Sequence, residues 1–79
     1  MDAREFRGAL ARLGYSQAGF AGMVGASPRT GQKWALGEAR IPGSVVLLLR
    51  LMLARPELQH VIDNMAPVNI RSRRNKTVE

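Results

Sequence analysis

The segment over residues 16–37 constrains the fold of this chain most, because it ends one helix and starts another within about three residues. Gly25 stands where a helix can end in the left-handed conformation, Ser27 can cap the next helix, and Pro28 fits that helix's first position. Two helices joined this tightly cross steeply, as in a helix-turn-helix. Because this geometry presents the second helix as a ridge that fits a major groove, the segment predicts a DNA-binding unit.

Capping residues and apolar spacing also define the helices on the N-terminal side. Asp2 and Glu5 form a capping-box pair, and an apolar stripe follows until Gly14 stops the helix. That stripe consists of Phe6, Leu10 and Leu13. Tyr15, just before the second helix, and Phe20, at its fourth position, are spaced as a hydrophobic staple.

Two apolar helices follow the central pair. The fourth, from about residues 41–44 to Ala54, has almost no polar face, so it is either central to the core or also covered by a partner. The fifth begins with Pro56 at its first position and carries a stripe that we assign to the interface of a homodimer. That stripe consists of Leu58, Val61, Ile62 and Met65.

The positive charge is divided between a domain and a short tail. The 79 residues carry a net charge of +6, half of it in residues 1–66 and half in residues 67–79. Such a balance attracts polyanions, of which nucleic acid is the commonest. The basic residues of the tail are Arg71, Arg73, Arg74 and Lys76. We expect this tail to be flexible, and it either contacts DNA or serves only as a solubilising end.

Composition excludes several other classes of protein. There is no cysteine and a single histidine, so we expect no disulfide, no metal site and no cofactor. The sequence contains no carboxylate pair, nucleophile–base pair or phosphate loop that would suggest an enzyme, so we expect neither enzymatic activity nor a small-molecule ligand. The apolar run over residues 45–54 is shorter than the roughly 20 residues that span a bilayer. We therefore expect a cytoplasmic, nucleoid-associated protein without membrane contact.

Residues 16–37 resemble the phage-repressor type of helix-turn-helix, the Cro/C1 or XRE family. In that family Ser-Gln opens helix 2, a small residue follows, glycine lies in the turn before a Ser or Thr cap, and Trp-x-x-Gly closes helix 3. The matching residues are Ser16, Gln17, Ala21, Gly25, Ser27, Trp34 and Gly37. The resemblance covers about residues 3–66 and implies a lambda-repressor-like, all-α domain of five helices. It also implies a transcriptional regulator, such as a repressor, that binds double-stranded DNA.

We expect the helix-turn-helix over about residues 16–37 and a dimerisation region over about residues 44–66. A single module of this size buries too little surface to find one genomic site, so we expect a homodimer on an inverted-repeat operator.

One residue departs from the family pattern. Gly31 takes the inward-facing position of helix 3, where Val or Ile is usual in the family. Either this helix is only marginally ordered until DNA or a partner supports it, with Phe20 filling part of the gap, or the glycine permits closer approach of the neighbouring helix. The position of Ala21 requires a small residue, because helices 2 and 3 cross over it. We expect Trp34 to pack inward.

The outward face of helix 3 carries the predicted DNA contacts. We assign base reading to Arg29, Gln32 and Lys33, whose spacing puts them on one helical face. Phosphate contacts are assigned to Gln17, Ser27, Thr30 and Arg40. Ser27 suits the role of a helix cap better than that of a residue that contacts bases.

The alternative function is that of a protein-interaction module, such as an antitoxin or anti-activator, with a partly vestigial helix-turn-helix. Gly31 and the glycines of helix 2 favour it, and its partner would be another protein.

Overall fold

The computed structural model describes residues 1–65, and all the regular structure in this part of the chain is α-helical. The helices are α1 (Ala3–Leu13), α2 (Gln17–Met23), α3 (Pro28–Leu36), α4 (Gly43–Ala54) and α5 (Leu58–Met65). The prediction of an all-α, five-helix arrangement is therefore confirmed for these residues. Residue 66 and the tail over residues 67–79, including its four basic residues, lie outside the described part.

The helix boundaries follow the capping residues that the sequence contains. Asp2 Oδ1 accepts a hydrogen bond from the Glu5 N–H at 2.8 Å, and Glu5 Oε1 accepts one from the Asp2 N–H at 3.0 Å. Ser16 and Ser27 each accept a hydrogen bond from an N–H in the first turn of α2 and α3, at 2.9 and 3.2 Å. Gly25, in the turn between these helices, has a φ of 82°, which a residue with a Cβ rarely adopts. These caps account for the abrupt change of direction between α2 and α3.

An aromatic cluster forms the centre of the core. The Phe6 ring makes edge contacts with the rings of Phe20 and Trp34, with centroids 5.9 Å apart in both pairs. Trp34 is only 4% exposed, which confirms that it packs inward. Leu49 and Met52 of α4 are fully buried against the same cluster, so α1, α2, α3 and α4 share one core. The ring centroids of Tyr15 and Phe20 lie 5.7 Å apart, as expected for a hydrophobic staple.

Helices α2 and α3 cross at a close contact between two small residues. Ala21 is fully buried, and a Cβ added to Gly31 would lie 2.8 Å from both the Ala21 Cβ and the Gln17 carbonyl oxygen. The missing side chain therefore leaves no gap, because the backbone of α2 occupies the space. This contact favours the closer-approach explanation of Gly31, and the expectation that Phe20 fills a gap there is wrong.

Helix α4 is apolar all round but is not central to the core. Val45, Leu49 and Met52 are buried, whereas Leu47 and Leu51 on the opposite side are 70% and 45% exposed. A central place in the core therefore does not account for the apolar residues on the exposed side, and cover by a partner stays a prediction. None of the helices in the described residues is long and apolar enough to cross a membrane.

Helix α5 begins two residues later than the sequence suggested. Pro56 and Glu57 form a turn, in which the Arg55 and Pro56 carbonyls accept hydrogen bonds from the N–H groups of Leu58 and Gln59 at 2.9 and 3.0 Å. The predicted start at Pro56 is therefore wrong. A proline suits the first position of a helix and the interior of a turn equally well, since its fixed φ serves both.

Candidate nucleic-acid interface

Helix α3 has one buried face and one exposed face. Gly31, Trp34 and Ala35 are buried against the core. The exposed residues of the opposite face include Arg29, Gln32, Lys33 and Leu36. Their spacing of three or four residues aligns them in a stripe about two turns long. All three predicted base-reading residues thus lie together on one accessible ridge.

The hydroxyl groups of Ser27 and Thr30 are hydrogen-bonded to each other at the start of α3. Ser27 Oγ accepts the Thr30 N–H at 3.2 Å and lies 3.0 Å from Thr30 Oγ1. The cap role expected for Ser27 is confirmed. Ser27 is exposed and Thr30 is half-buried, and both lie at the end of the helix where Arg29 begins the exposed stripe.

An arginine of α1 supports the other end of α3. Arg7 donates a hydrogen bond from Nη1 to the carbonyl oxygen of Ala35, one of the last carbonyls of the helix. A cation at a helix C-terminus also interacts favourably with the helix dipole. This role of Arg7 could not be predicted from the sequence, because Arg7 lies 28 residues from its partner and nothing in its local pattern links the two.

The two remaining predicted phosphate ligands lie on either side of α3 in the chain. Gln17 is exposed at the start of α2, and its carbonyl oxygen would lie 2.8 Å from a Cβ added to Gly31. Arg40 is exposed in the loop after α3 and lines a groove of about 680 Å³. Arg50 of α4 lines the same groove, although no sequence pattern distinguishes it from the other arginines.

The apolar stripe of α5 is divided by the structure. Leu58 and Ile62 are half-buried, and Ile62 packs against the core. Val61 and Met65 are 51% and 77% exposed. Of the four residues assigned to a dimer interface, Val61 and Met65 therefore offer the larger free apolar surface. A charge at position 62 would act on the fold of the single chain as well as on assembly.

Two polar contacts attach α5 to the end of α1 and to the link between α1 and α2. The Tyr15 hydroxyl donates a hydrogen bond to Asp63 Oδ1 at 2.5 Å, and Gln59 Nε2 donates one to the Leu13 carbonyl oxygen at 2.7 Å. Burial, followed by the hydrogen bond to Asp63, raises the pKa of Tyr15 from its ordinary 10.0 to about 12. Neither contact could be predicted from a local pattern, because they join residues 48 and 46 positions apart.

No cluster that could hold a metal ion forms among residues 1–65. Comparison of the chain with models of protein families, with curated proteins and with solved structures gives no match. What the exposed face of α3 can bind therefore follows from its chemistry. A guanidinium, a carboxamide and an ammonium group supply hydrogen-bond donors and two positive charges, a combination suited to base edges and phosphates.

Proposed function

We propose that this chain is a sequence-specific, double-stranded DNA-binding transcriptional regulator of the lambda-repressor-like type, which acts in the cytoplasm on the nucleoid. The observation that carries the proposal is the stripe of Arg29, Gln32 and Lys33 on a helix whose opposite face is buried. A helix exposed in this way can enter a major groove while the rest of the domain remains outside it.

Each side chain of the stripe has a distinct chemical use in a major groove. Arg29 lies in the first turn of α3, which enters the groove deepest, and its guanidinium can donate two hydrogen bonds to guanine O6 and N7. Gln32, one turn later, can pair with adenine N6 and N7. Lys33 can donate to a guanine or neutralise a phosphate. Together they provide base discrimination, which phosphate contacts alone do not supply.

Contacts to the DNA backbone fix the register of α3 in the groove. Gln17 and Arg40, both exposed, are the proposed phosphate ligands, with Ser27 and Thr30 adding hydroxyl groups near the start of α3. The close packing at Gly31 supports this assignment, because it holds the first residue of α2 against the middle of α3.

A homodimer would double these contacts on an inverted-repeat operator. The exposed Val61 and Met65 of α5 and the exposed Leu47 and Leu51 of α4 are the proposed contact surface. In a two-fold dimer the recognition helices would lie about 34 Å apart, one turn of DNA, so that both enter successive major grooves.

A salt titration on selected DNA tests this function. A preferred duplex is selected from a random-sequence library, and its affinity is compared with that of a scrambled duplex. We expect affinity to fall by orders of magnitude between about 50 and 200 mM salt, with the preferred duplex bound more tightly throughout. The variant Arg29→Ala should lose much of this preference, and Arg12→Ala is its control for lost charge, since Arg12 is an exposed arginine of α1 outside the α3 stripe. Equal affinity for both duplexes would leave only a basic polyelectrolyte.

A protein-interaction module is the second candidate function. The exposed Leu47 and Leu51 on α4 favour it, because an apolar helix face of this kind suits a protein partner as well as a second copy. Co-purification with an unrelated protein, lost in Leu47→Ser, would support this candidate, whereas a homodimer without other partners would contradict it.

A further inference from the structure

Helix α5 turns two polar residues, together with half of its apolar stripe, toward the rest of the molecule. Its apolar positions are 58, 61, 62 and 65, yet the half-buried positions are 58, 59, 62 and 63. Gln59 and Asp63 therefore face inward, while Val61 and Met65 are left exposed. The helix is rotated away from the orientation that would bury its apolar stripe most completely.

The two inward polar residues explain this rotation. Gln59 donates to the Leu13 carbonyl at the end of α1, and Asp63 accepts from the Tyr15 hydroxyl. Leu13 is the last residue of α1, and Tyr15 lies in the short link between α1 and α2. A hydrogen bond has a preferred direction as well as a preferred length, so these two bonds fix the rotation of α5 as well as its position.

Tyr15 connects this attachment to the start of α2. It immediately precedes Ser16, whose hydroxyl caps α2, and its ring packs against Phe20 in the same helix. Gln17, a proposed phosphate ligand, lies two residues after Tyr15. A chain of direct contacts thus runs from the exposed side of α5, through Asp63 and Tyr15, to the first turn of α2.

We infer that Tyr15 and Asp63 are positioning residues that couple the rotation of α5 to α2, so that two copies joined through α5 hold their DNA-contacting helices at one fixed spacing. This inference rests on the proposed function. It adds that the spacing between half-sites is set by a polar contact inside each protomer, in addition to the apolar contact between protomers.

The test uses variants that break the contact from either side. Tyr15→Phe removes the hydroxyl donor but keeps the ring beside Phe20, and Asp63→Ala removes the acceptor. Asn64→Ala, at an exposed neighbouring position of α5, is the matched control. Thermal unfolding of each purified protein identifies any variant that has lost its fold, so that the other variant of the pair can be used.

The measured quantity is the preference for operator spacing at protein concentrations where the protein is dimeric. Adding one base pair between half-sites rotates one relative to the other by about 35°, so a rigid dimer should lose much of its affinity. We expect Tyr15→Phe and Asp63→Ala to reduce the wild-type preference by about tenfold, the size of one hydrogen bond to a charged group. Asn64→Ala should keep the wild-type preference. The double variant should lose no more than either single variant, because both remove the same bond.

Amide hydrogen exchange without DNA provides a second measurement. The N–H groups of α5 should exchange faster in Tyr15→Phe than in the wild type, and an unchanged rate would overturn the inference. Variants that keep the spacing preference, or whose effects add, would also overturn it. A wild type that binds all duplexes equally would overturn the proposed function and this inference together. The other outcomes overturn the inference alone, so the two failures can be distinguished.

Discussion

Gly31→Ala tests whether α2 and α3 are as close as the structure has them. An alanine Cβ at this position would lie 2.8 Å from the Gln17 carbonyl oxygen and 2.8 Å from the Ala21 Cβ. Optimal non-bonded separations are roughly 3.5–4.0 Å, so the two helices would have to move apart by most of an ångström. Because the oxygen belongs to the backbone, no rotation of a side chain relieves the contact.

Two opposing effects determine the size of the change. Alanine is favoured over glycine in a helix interior by about 1 kcal/mol, whereas overpacking a close contact costs about 1–3 kcal/mol. We expect the second effect to be larger and Gly31→Ala to lower the free energy of unfolding by about 1 kcal/mol. For a domain of this size that change lowers the melting temperature by about 4–8 °C.

Gly8→Ala is the matched control. Gly8 also lies inside a helix, but an added Cβ there meets nothing within 4 Å, so only the gain in helix propensity remains. We expect Gly8→Ala to raise the free energy of unfolding by about 0.5–1 kcal/mol, opposite in sign to Gly31→Ala. Thermal unfolding followed by circular dichroism measures both. If Gly31→Ala raised the melting temperature as Gly8→Ala does, the close packing would be refuted and a marginally ordered α3 would again explain the glycine.

Three further predictions concern DNA, pH and assembly. Arg29→Ala should cost about 1–3 kcal/mol of operator affinity and relax the preference at one base pair per half-site, whereas Arg40→Ala should weaken all sequences alike and reduce the salt slope; identical behaviour on a panel of single-base operator variants would contradict this division. Because the pKa of Tyr15 is raised from 10.0 to about 12, its contribution to stability is present below pH 10 and is lost as the pH rises toward 12. The melting temperature should therefore fall over this range more steeply in the wild type than in Tyr15→Phe. Val61→Asp should give a monomer of unchanged helical content by light scattering and circular dichroism, and a variant that remained dimeric would exclude Val61 from the interface.

Local chemistry made most of the helix boundaries predictable. A capping serine, the proline after it or a left-handed glycine acts within three or four residues, so its effect can be read without knowing the rest of the fold. The bounds of α3 follow from Ser27, Pro28 and Gly37 in this way. The exposed stripe of α3 was predictable for a similar reason, because helical periodicity alone separates Arg29 from the buried Trp34.

The contacts that position these helices could not be predicted from local patterns. Arg7 is one of several exposed arginines, and only the folded chain brings it to the Ala35 carbonyl. The role of Gly31 depends on where the backbone of α2 passes, since the same glycine would create a cavity if that backbone lay an ångström or two farther away. Sequence spacing fixes neither distance.

Helix α5 illustrates why an apolar stripe does not by itself identify the buried face of a helix. Periodicity ranks positions by hydrophobicity and therefore assigned Val61 and Met65 to one interface with Ile62. In the folded chain, two side-chain hydrogen bonds to distant parts of the sequence rotate the helix, bury Ile62 partly and leave the other two exposed. A short helix with no fully buried residue has too little apolar contact to resist such bonds. The polar contacts then determine which apolar side chains of α5 remain exposed. Those exposed side chains are the ones proposed to join two copies.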